Sequence, residues 1–568
     1  MTASSSTGPN GSQMVTTLVR LREALENARL PLDIPDVELA RKARTEMIAQ
    51  LDDYILPRLI QIDAPLLTVV GGSTGAGKST LVNSLVGARV TEPGVLRPTT
   101  RSPVLVFNPA DAEWFEGARI LPDLRRTDRA SIDTGSLQLV ATEAIPPGLA
   151  VLDAPDIDSV EEQNRALAAQ LLGAADLWLF VTSAARYADQ VPWEFLKQAA
   201  ERSAAVAIVL DRTQPSAVTE VSTHLARMLS ARGLRDSPLF VVPEGEVDDA
   251  GLLPSTTVRE IRAWLSSLAA DVDARQGIIR QTLDGTIRTL STRTYSIADA
   301  CHDQIEIQSR LRRSAESAYE AALTEIDHAS TDGTLLRGEV LARWQEFVGN
   351  GELVQSLESK VSRIRDRVSN AVKGQPQQAT LVIAAIEFGL RTLVIEHAET
   401  AAEQAEASWR SLASGRALLD GETVDLSRAS RDLRSRAEHA LRDWQQQLLE
   451  MVREECADKR STGRFLSYGV NGLAVSLMVS TLTPVDSAGD LGQQILRAVL
   501  GDDVVRRLVS TARADLDNRI MLLLDSEQRR YVDLLDAQGI SAGAEEGLRT
   551  SARHIDDVRF ASGSPRGR

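Results

Sequence analysis

The sequence is poor in the residue types on which many functional sites depend. Its 568 residues include two cysteines and six histidines, and aromatic residues make up only 4%. The two cysteines, Cys301 and Cys456, exclude a disulfide framework, fit a reducing cytosol, and have no metal-ligand spacing. The histidines are scattered without an i, i+4 pair. The sequence therefore predicts no transition-metal site.

Excess positive charge is also lacking. The net charge is −16, from 63 basic and 79 acidic residues, which argues against a dedicated nucleic-acid binder. Any contact with a membrane would have to be local. Residues 1–13 lack the basic start and apolar run of a signal peptide, so we expect a disordered tail on a cytoplasmic protein.

The chain is too long for one hydrophobic core, and its pattern changes along its length. Two helices are expected over 14–61, broken by a turn at Leu30–Pro35, and they could pack on a later helical region. Residues 62–270 alternate strand-like and helix-like segments, which predicts an α/β domain. Residues 271–540 are rich in long Ala/Leu/Arg/Glu segments that predict an elongated helical bundle or stalk with coiled-coil-like packing. Residues 541–568 are expected to form a flexible tail.

The α/β segment contains six apolar, β-branched runs without clean alternation. Such runs are typical of parallel strands that are covered on both faces. The sequence therefore predicts a mostly parallel sheet with strands at Leu66–Val70, Val104–Asn108, Ala150–Asp153, Leu177–Thr182, Val206–Asp211 and Leu239–Val242.

A glycine-rich loop follows the first of these strands. Gly72, Gly77, Lys78 and Ser79 satisfy the phosphate-loop pattern G-x-x-x-x-G-K-[ST] between a strand and a helix. Glycines let backbone N–H groups close around phosphate oxygens, and the helix directs its positive dipole end at them. Lys78 would reach the β- and γ-phosphates, and the Ser79 hydroxyl would ligate Mg²⁺. The predicted phosphate-binding residues are Gly72, Ser73, Thr74, Gly75, Ala76, Gly77, Lys78, Ser79 and Thr80.

Two later segments supply residues that a nucleotide switch needs. The loop RPTTRSPV places Thr99 and Thr100 just before a strand, where a threonine could meet Mg²⁺ and the γ-phosphate, although a threonine-rich turn is an equal alternative. Asp153 ends the strand LAVLD and fits the acidic partner of Mg²⁺. Asp156 stands where a glycine usually contacts the γ-phosphate. One hypothesis is that Asp156 or Asp158 binds Mg²⁺ indirectly, through the groups that ligate the ion. The simpler hypothesis is that they cap the loop.

The base-binding position is less regular. VAIVLDRTQP places Asp211, Arg212, Thr213 and Gln214 where GTPases carry N/T-K-x-D. The Gln214 amide oxygen could accept a hydrogen bond from guanine, and the Arg212 stem could lie against the base. The nucleotide is therefore predicted to be GTP, with ATP as the alternative.

Together GGSTGAGKST, RPTTR, DAPD and the long helices that follow resemble a bacterial dynamin-family GTPase, and the individual motifs also resemble Era-type GTPases. The motif similarity covers Gly71–Gln214. The resemblance implies GTP hydrolysis with Mg²⁺, coupled to self-association and to binding or remodelling of a membrane. We therefore expect a cytoplasmic protein that can bind peripherally at the inner face of the cell membrane. It implies catalytic roles for Lys78 and Thr100, with Ser79, Thr100 and Asp153 at the metal. Dynamins carry glutamine where Thr74 stands.

One apolar segment of the helical half, Phe465–Leu482, has no ionisable side chain. It could be a buried helix, a reversible membrane contact or a permanent span. Leu381–Ile395 is also apolar, but Glu387 and Arg391 interrupt it, which favours a core helix. Two other functions stay open: a degenerate GTPase that binds nucleotide as a scaffold with little hydrolysis, and an ATPase.

Overall fold

A computed structural model describes residues 9–92, 102–117, 120–129, 135–159, 161–201, 204–333, 335, 337–348, 375–457, 463–482 and 488–563. The chain forms two compact units. The first contains residues 1–30, 36–302 and 541–568, and the second contains residues 31–35 and 303–540. Each unit is described by itself.

The first unit is built on an eight-stranded sheet, in the order β3-β4-β2-β5-β1-β6-β7-β8. In this order the neighbouring strands β5, β1, β6, β7 and β8 run parallel to one another. Strand β2 pairs with β5 in the antiparallel direction. The strands β3, β4 and β2 run parallel to one another. The strands are β1 (Leu66–Gly72), β2 (Val104–Phe107), β3 (Arg125–Thr127), β4 (Ser136–Ala141), β5 (Leu149–Asp153), β6 (Leu177–Ser183), β7 (Ala205–Thr213) and β8 (Leu239–Pro243).

The central strands are covered on both faces. Every residue of β1, β5 and β6 is buried, which explains why their sequences are continuously apolar instead of alternating. The mostly parallel sheet is therefore confirmed, and all six expected strands are present. The expectation missed β3 and β4, because β3 is three polar residues long and β4 is partly exposed beside it.

Helices surround this sheet. They are α1 (Pro9–Asn27), α2 (Val37–Gln50), α3 (Leu56–Ile60), α4 (Lys78–Val86), α5 (Ala112–Phe115), α6 (Glu162–Gly173), α7 (Gln190–Glu201), α8 (Val218–Ala231) and α9 (Arg259–Ala270). A π-helical turn, Leu51–Ile55, joins α2 to α3. A long helix, α10 (Val272–Thr331), belongs to the first unit up to His302.

Both chain ends differ from the expected tails. Helix α1 begins at Pro9, inside the stretch predicted to be disordered. The prediction of a flexible tail over 541–568 is wrong for α18 (Ala544–Gly563), an amphipathic helix. Its buried face contains Leu548, Ala552 and Ile555, and it packs against α1. Burial of these side chains orders a segment whose composition is otherwise polar.

The second unit is a bundle of helices. Besides the rest of α10, it contains α11 (Glu339–Val348), α12 (Gln375–Arg410), α13 (Ala413–Gly421), α14 (Leu433–Glu455), α15 (Gly463–Thr481), α16 (Ala488–Leu500) and α17 (Asp502–Asp536). The turn at residues 31–35 also belongs here, since the backbone N–H and C=O of Leu32 bond to the Gln304 side chain at 2.9 and 2.7 Å. The long helices expected from the sequence are thus present.

Buried aromatic side chains tie the bundle together. The indole N–H of Trp409 donates to the Leu311 carbonyl at 3.0 Å, and that of Trp444 donates to the Ala512 carbonyl at 2.9 Å. The Tyr531 hydroxyl lies within 3.0 Å of the Ala402 carbonyl. These bonds satisfy the polar atoms of large apolar side chains inside the core.

The two apolar segments of this half differ from expectation. Of Phe465–Leu482, the described side chains from Leu473 to Leu482 are buried, so the buried-helix alternative holds there. The core prediction for Leu381–Ile395 is confirmed for only one face of α12. On the other face, Leu381 and Phe388 are 46% and 61% exposed.

Candidate functional site

The glycine-rich loop connects the end of β1 to the first residue of α4. Gly72 has φ +152°, and a Cβ atom there would lie 2.0 Å from the Val181 carbonyl oxygen of the neighbouring strand. Gly77 has φ +99° and directly precedes α4. Because side chains are excluded at both positions, the loop can close tightly over the N-terminus of the helix. The helix has nine residues, so its dipole is available to an anion there.

Lys78 is the first residue of α4, and its side chain is buried. Its ammonium group donates to the carbonyl oxygens of Gly72 and Ser73 at 3.0 and 3.1 Å, and it forms a salt bridge with Asp156. The side chains of Lys78 and Asp156 are only 4% and 6% exposed. The ammonium thus lies along the loop, at the end of the sheet where β1 and β5 finish.

Ser79 and Asp153, two of the three predicted metal ligands, are in contact. The Ser79 hydroxyl donates to Oδ2 of Asp153 at 2.7 Å, which joins the first turn of α4 to the last residue of β5. Oδ1 of Asp153 is buried and has no hydrogen-bond partner among the residues that the structure describes. Burial raises the pKa of the Asp153 carboxyl to about 6, and the hydrogen bond from Ser79 partly opposes that shift. The loop hydroxyl of Ser73 is likewise buried without a described partner.

Asp158 holds the middle of the loop. Its Oδ1 accepts hydrogen bonds from the backbone N–H of Thr74 at 2.6 Å and from the Thr74 hydroxyl at 2.8 Å. Its Oδ2 accepts from Arg186, in the loop after β6, at 2.8 Å. The contact with Thr74 agrees with the loop-capping alternative for Asp158. The pairing of Asp156 with Lys78 was outside both alternatives, and nothing in the sequence distinguishes Arg186 from other surface arginines.

The base-binding positions lie at the end of β7. Asp211 is buried, and its side chain faces Gly77 and accepts the Arg212 backbone N–H at 2.8 Å. Arg212 adopts φ +50° and is exposed, as is Gln214. The geometry therefore separates two tasks: Asp211 contacts the loop, whereas Arg212 and Gln214 lie at the surface.

The predicted switch threonines, Thr99 and Thr100, lie outside the described residues. The strand that follows them begins at Val104, which pairs with Asp153 across the antiparallel junction of β2 and β5. The remaining loop residues differ in exposure. Gly75 is exposed, Ala76 is buried, and Thr80 is half-buried.

These residues can hold an anionic phosphate chain and a divalent cation. Lys78, the loop N–H groups and the start of α4 supply positive charge, and Ser79 and Asp153 supply oxygen ligands of the kind that Mg²⁺ prefers. Oδ1 of Asp153 fits this role, because it is buried without a described hydrogen-bond donor and a bound cation would supply the partner that it lacks. No group of three or more acidic, His or Cys side chains that could hold a metal ion lies in the described part of the chain. The sheet, the loop and the following helix define a P-loop GTPase-like domain.

Comparison with known families agrees with this class. The profile of the dynamin family matches residues 68–211. A curated relative, the probable transmembrane GTPase FZO-like, chloroplastic, of Arabidopsis thaliana, is 25% identical over 161 residues. That match covers 28% of this chain and 16% of the relative. Residues 68–211 are thus similar to the dynamin family, while the similarity to Era-type GTPases stays a prediction.

Two solved structures are similar over longer stretches. Both come from an oligomerised bacterial dynamin pair described as providing a mechanism for the long-range sensing and tethering of membranes. The first match covers 92% of this chain and 94% of the other at 11% identity, with a TM-score of 0.40. The second covers 74% and 80% at 11% identity, with a TM-score of 0.27.

Proposed function

We propose that this protein is a nucleotide-switched, dynamin-like GTPase that binds and hydrolyses GTP with Mg²⁺. One observation carries the proposal: the Ser79 hydroxyl meets Asp153 at 2.7 Å while the other oxygen of this buried carboxylate has no described partner. A serine after the loop lysine and an aspartate at a strand end are what a Mg²⁺–nucleotide complex requires. The dynamin-family match over 68–211 supports guanine as the base.

The residues have distinct proposed roles. Lys78 binds the β- and γ-phosphates and stabilises charge on the phosphoryl group that is transferred. Ser79 and Asp153 hold the cation, and Thr100 would join them from the preceding switch loop. When bound, Mg²⁺ neutralises developing charge on the phosphate oxygens. Asp211 keeps the loop in place through its contact at Gly77, and Arg212 and Gln214 contact the base.

Equilibrium binding of GTP and ATP to the purified protein, each with Mg²⁺, tests the proposal. Lys78→Ala removes a charged hydrogen-bond donor, so we expect both affinities to fall roughly 10- to 150-fold. Lys197→Ala is the matched control, because Lys197 is an exposed lysine on α7 with a 74% exposed side chain. Equal affinity for the two nucleotides would remove the guanine assignment and leave the phosphate site intact. Unchanged binding by Lys78→Ala would contradict the assignment of the phosphate site to this loop.

Membrane association and self-association are proposed on different grounds. The curated relative is named a transmembrane GTPase. Within the described residues, 378–410 of α12 form one helix that is long and apolar enough, by length and composition alone, to cross a membrane. We propose that the exposed face of α12 contacts lipid at the inner surface of the cell membrane, in place of Phe465–Leu482. No nucleic-acid partner is proposed.

Turnover per subunit, measured against protein concentration with and without anionic liposomes, tests both associations. A dynamin-like enzyme that assembles as a homo-oligomer, or with a related partner chain, should turn over faster as its concentration rises and when liposomes are present. A rate that is flat in both series would contradict coupling of hydrolysis to assembly and membrane.

The alternative is a scaffold that binds nucleotide and scarcely hydrolyses it. The engagement of Thr74 by Asp158 favours it, because both the side chain and the backbone N–H at this loop position already have a partner. Protein loaded with GTP and then freed of excess nucleotide distinguishes the two. Nucleotide that stays GTP for hours supports the scaffold, and conversion to GDP within minutes supports the enzyme.

A further inference from the structure

The phosphate-binding lysine has no spare hydrogen-bond donor. An ammonium group carries three N–H donors. In Lys78 they serve three acceptors: the Gly72 carbonyl, the Ser73 carbonyl and the Asp156 carboxylate. A phosphate oxygen can bind Lys78 only by replacing one of these acceptors.

The three acceptors are not equivalent to an incoming phosphate. The two carbonyls are neutral, so a phosphate oxygen can take their place without charge repulsion. Asp156 carries a negative charge and is buried with Lys78, where water screens charges weakly. A phosphate chain that extends past the β-phosphate brings further negative charge to the same ammonium and thus to Asp156. The carboxylate and a γ-phosphate compete for one cation.

Asp156 is held in this position by its own segment. Residues 154–159 follow β5 without regular secondary structure. The Ile157 backbone N–H donates to the Gly72 carbonyl at 3.3 Å, and Asp158 binds Thr74 and Arg186. The segment therefore contacts the loop at Gly72, Thr74 and Lys78. Ala154 stays with the sheet, because its backbone N–H donates to the Val70 carbonyl of β1 at 3.2 Å. Residues 155–159 could leave the loop without disturbing the pairing of β5 with β1.

We propose that Asp156 is a specificity-determining residue that competes with the γ-phosphate for Lys78. The site then binds nucleoside diphosphate more tightly than nucleoside triphosphate until residues 155–159 move off the loop. This inference rests on the phosphate site of the proposed function, but it does not depend on which base is bound. Binding of the triphosphate then requires the Asp156 carboxylate to leave Lys78, whereas binding of the diphosphate does not.

The test is equilibrium binding of GTP, GDP, ATP and ADP, each with Mg²⁺, to the full-length protein and to Asp156→Asn. Asparagine keeps the shape and an oxygen acceptor for Lys78 but removes the charge. We expect the triphosphate to gain about tenfold or more in affinity relative to the diphosphate. Asp189→Asn is the matched control, because Asp189 is a 47% exposed carboxylate that lies 3.6 Å from Arg186.

Wild-type protein alone already tests the inference. It must bind the diphosphate more tightly than the triphosphate of the same base, and the opposite order would overturn the inference even if Asp156→Asn did not fold. A diphosphate-to-triphosphate ratio that is unchanged in Asp156→Asn would also overturn it. Equal affinity for guanine and adenine nucleotides would contradict the GTPase proposal while leaving the diphosphate preference measurable. Absence of binding by wild type and variant would overturn both.

Discussion

Gly77 and Asp211 face each other so closely that a Cβ atom on Gly77 would lie 1.9 Å from Oδ2 of Asp211. The end of β7 therefore limits the residue that can precede α4. This contact links the base-binding end of the site to the phosphate-binding loop.

Gly77→Ala should destabilise the protein and abolish nucleotide binding. Both Gly77 and Gly75 have positive φ, but among the described residues no atom beyond the chain neighbours lies within 4 Å of a Cβ on Gly75. Gly75→Ala thus measures backbone strain alone, about 1–2 kcal/mol. Gly77→Ala should lose about 1–3 kcal/mol more in the free energy of unfolding, measured in denaturant. Adding Asp211→Ala to the Gly77→Ala variant should recover this additional stability, because it removes the side chain that the new Cβ meets. A double variant as unstable as Gly77→Ala alone would contradict the close contact.

Asp153 should make the nucleotide-free protein less stable as the pH rises. Burial raises its pKa to about 6 in the folded protein, against 3.8 ordinarily. Between these values the folded state binds a proton that the unfolded state has released. The free energy of unfolding therefore decreases as the pH rises from about 4 to about 6. Above about pH 6 the carboxyl is ionised in both states, and burial of the charge lowers the free energy of unfolding by its full amount.

Asp153→Asn removes this dependence. We expect the variant to exceed the wild type in free energy of unfolding by up to about 3 kcal/mol at pH 7, with the difference vanishing near pH 4. Asp53 and Asp211, whose pKa values burial also raises to about 6, are present in both proteins and cancel in the comparison. Melting curves without nucleotide across this pH range make the measurement. A constant difference between variant and wild type would contradict the shifted pKa.

The buried ion pair between Arg58 and Asp176 should dominate the attachment of α3 to the sheet. Asp176 also accepts the Leu67 backbone N–H at 2.8 Å and the Tyr54 hydroxyl at 3.2 Å, and both ionic side chains are nearly inaccessible. Arg58→Met leaves this carboxylate buried without its cation and should lower the free energy of unfolding by about 3–5 kcal/mol. Arg293→Met, which breaks a 30% and 48% exposed pair with Glu46, should cost no more than about 1 kcal/mol.

Leu381→Ser with Phe388→Ser should weaken liposome binding without destabilising the protein. Both side chains are exposed on α12, so the stability change should stay within about 0.5 kcal/mol per site. Met521→Ser with Leu522→Ser is the matched control, since these α17 residues are 45% and 56% exposed. Co-sedimentation with anionic liposomes distinguishes them. Equal binding by both double variants would contradict a lipid contact at α12.

The sheet and the phosphate loop were predictable because their signals are local. A strand, a glycine pattern and a helix follow one another within Leu66–Val86, and Asp153 ends an unmistakably apolar run. Helix α18 also carried a signal, since Leu548, Ala552 and Ile555 recur at helical spacing. The polar end of the chain obscured it.

The contacts of Asp156 and Asp158 could not be predicted in the same way. They join residues 78 and 84 positions apart, through a loop whose course depends on the packing of β5 against β1. A carboxylate after β5 is visible in the sequence, but its partner is decided by tertiary structure. The exposed face of α12 is a similar case, because apolar residues on both faces of a helix do not show which face packs.

The two cysteines make the protein convenient to label. Cys301 and Cys456 are both buried, and burial raises the pKa of the Cys301 thiol to about 11, so little reactive thiolate forms at neutral pH. A single cysteine introduced at Phe388 would therefore be far more reactive than either native thiol. An environment-sensitive fluorophore attached there would report lipid contact during nucleotide turnover, without first removing the native cysteines.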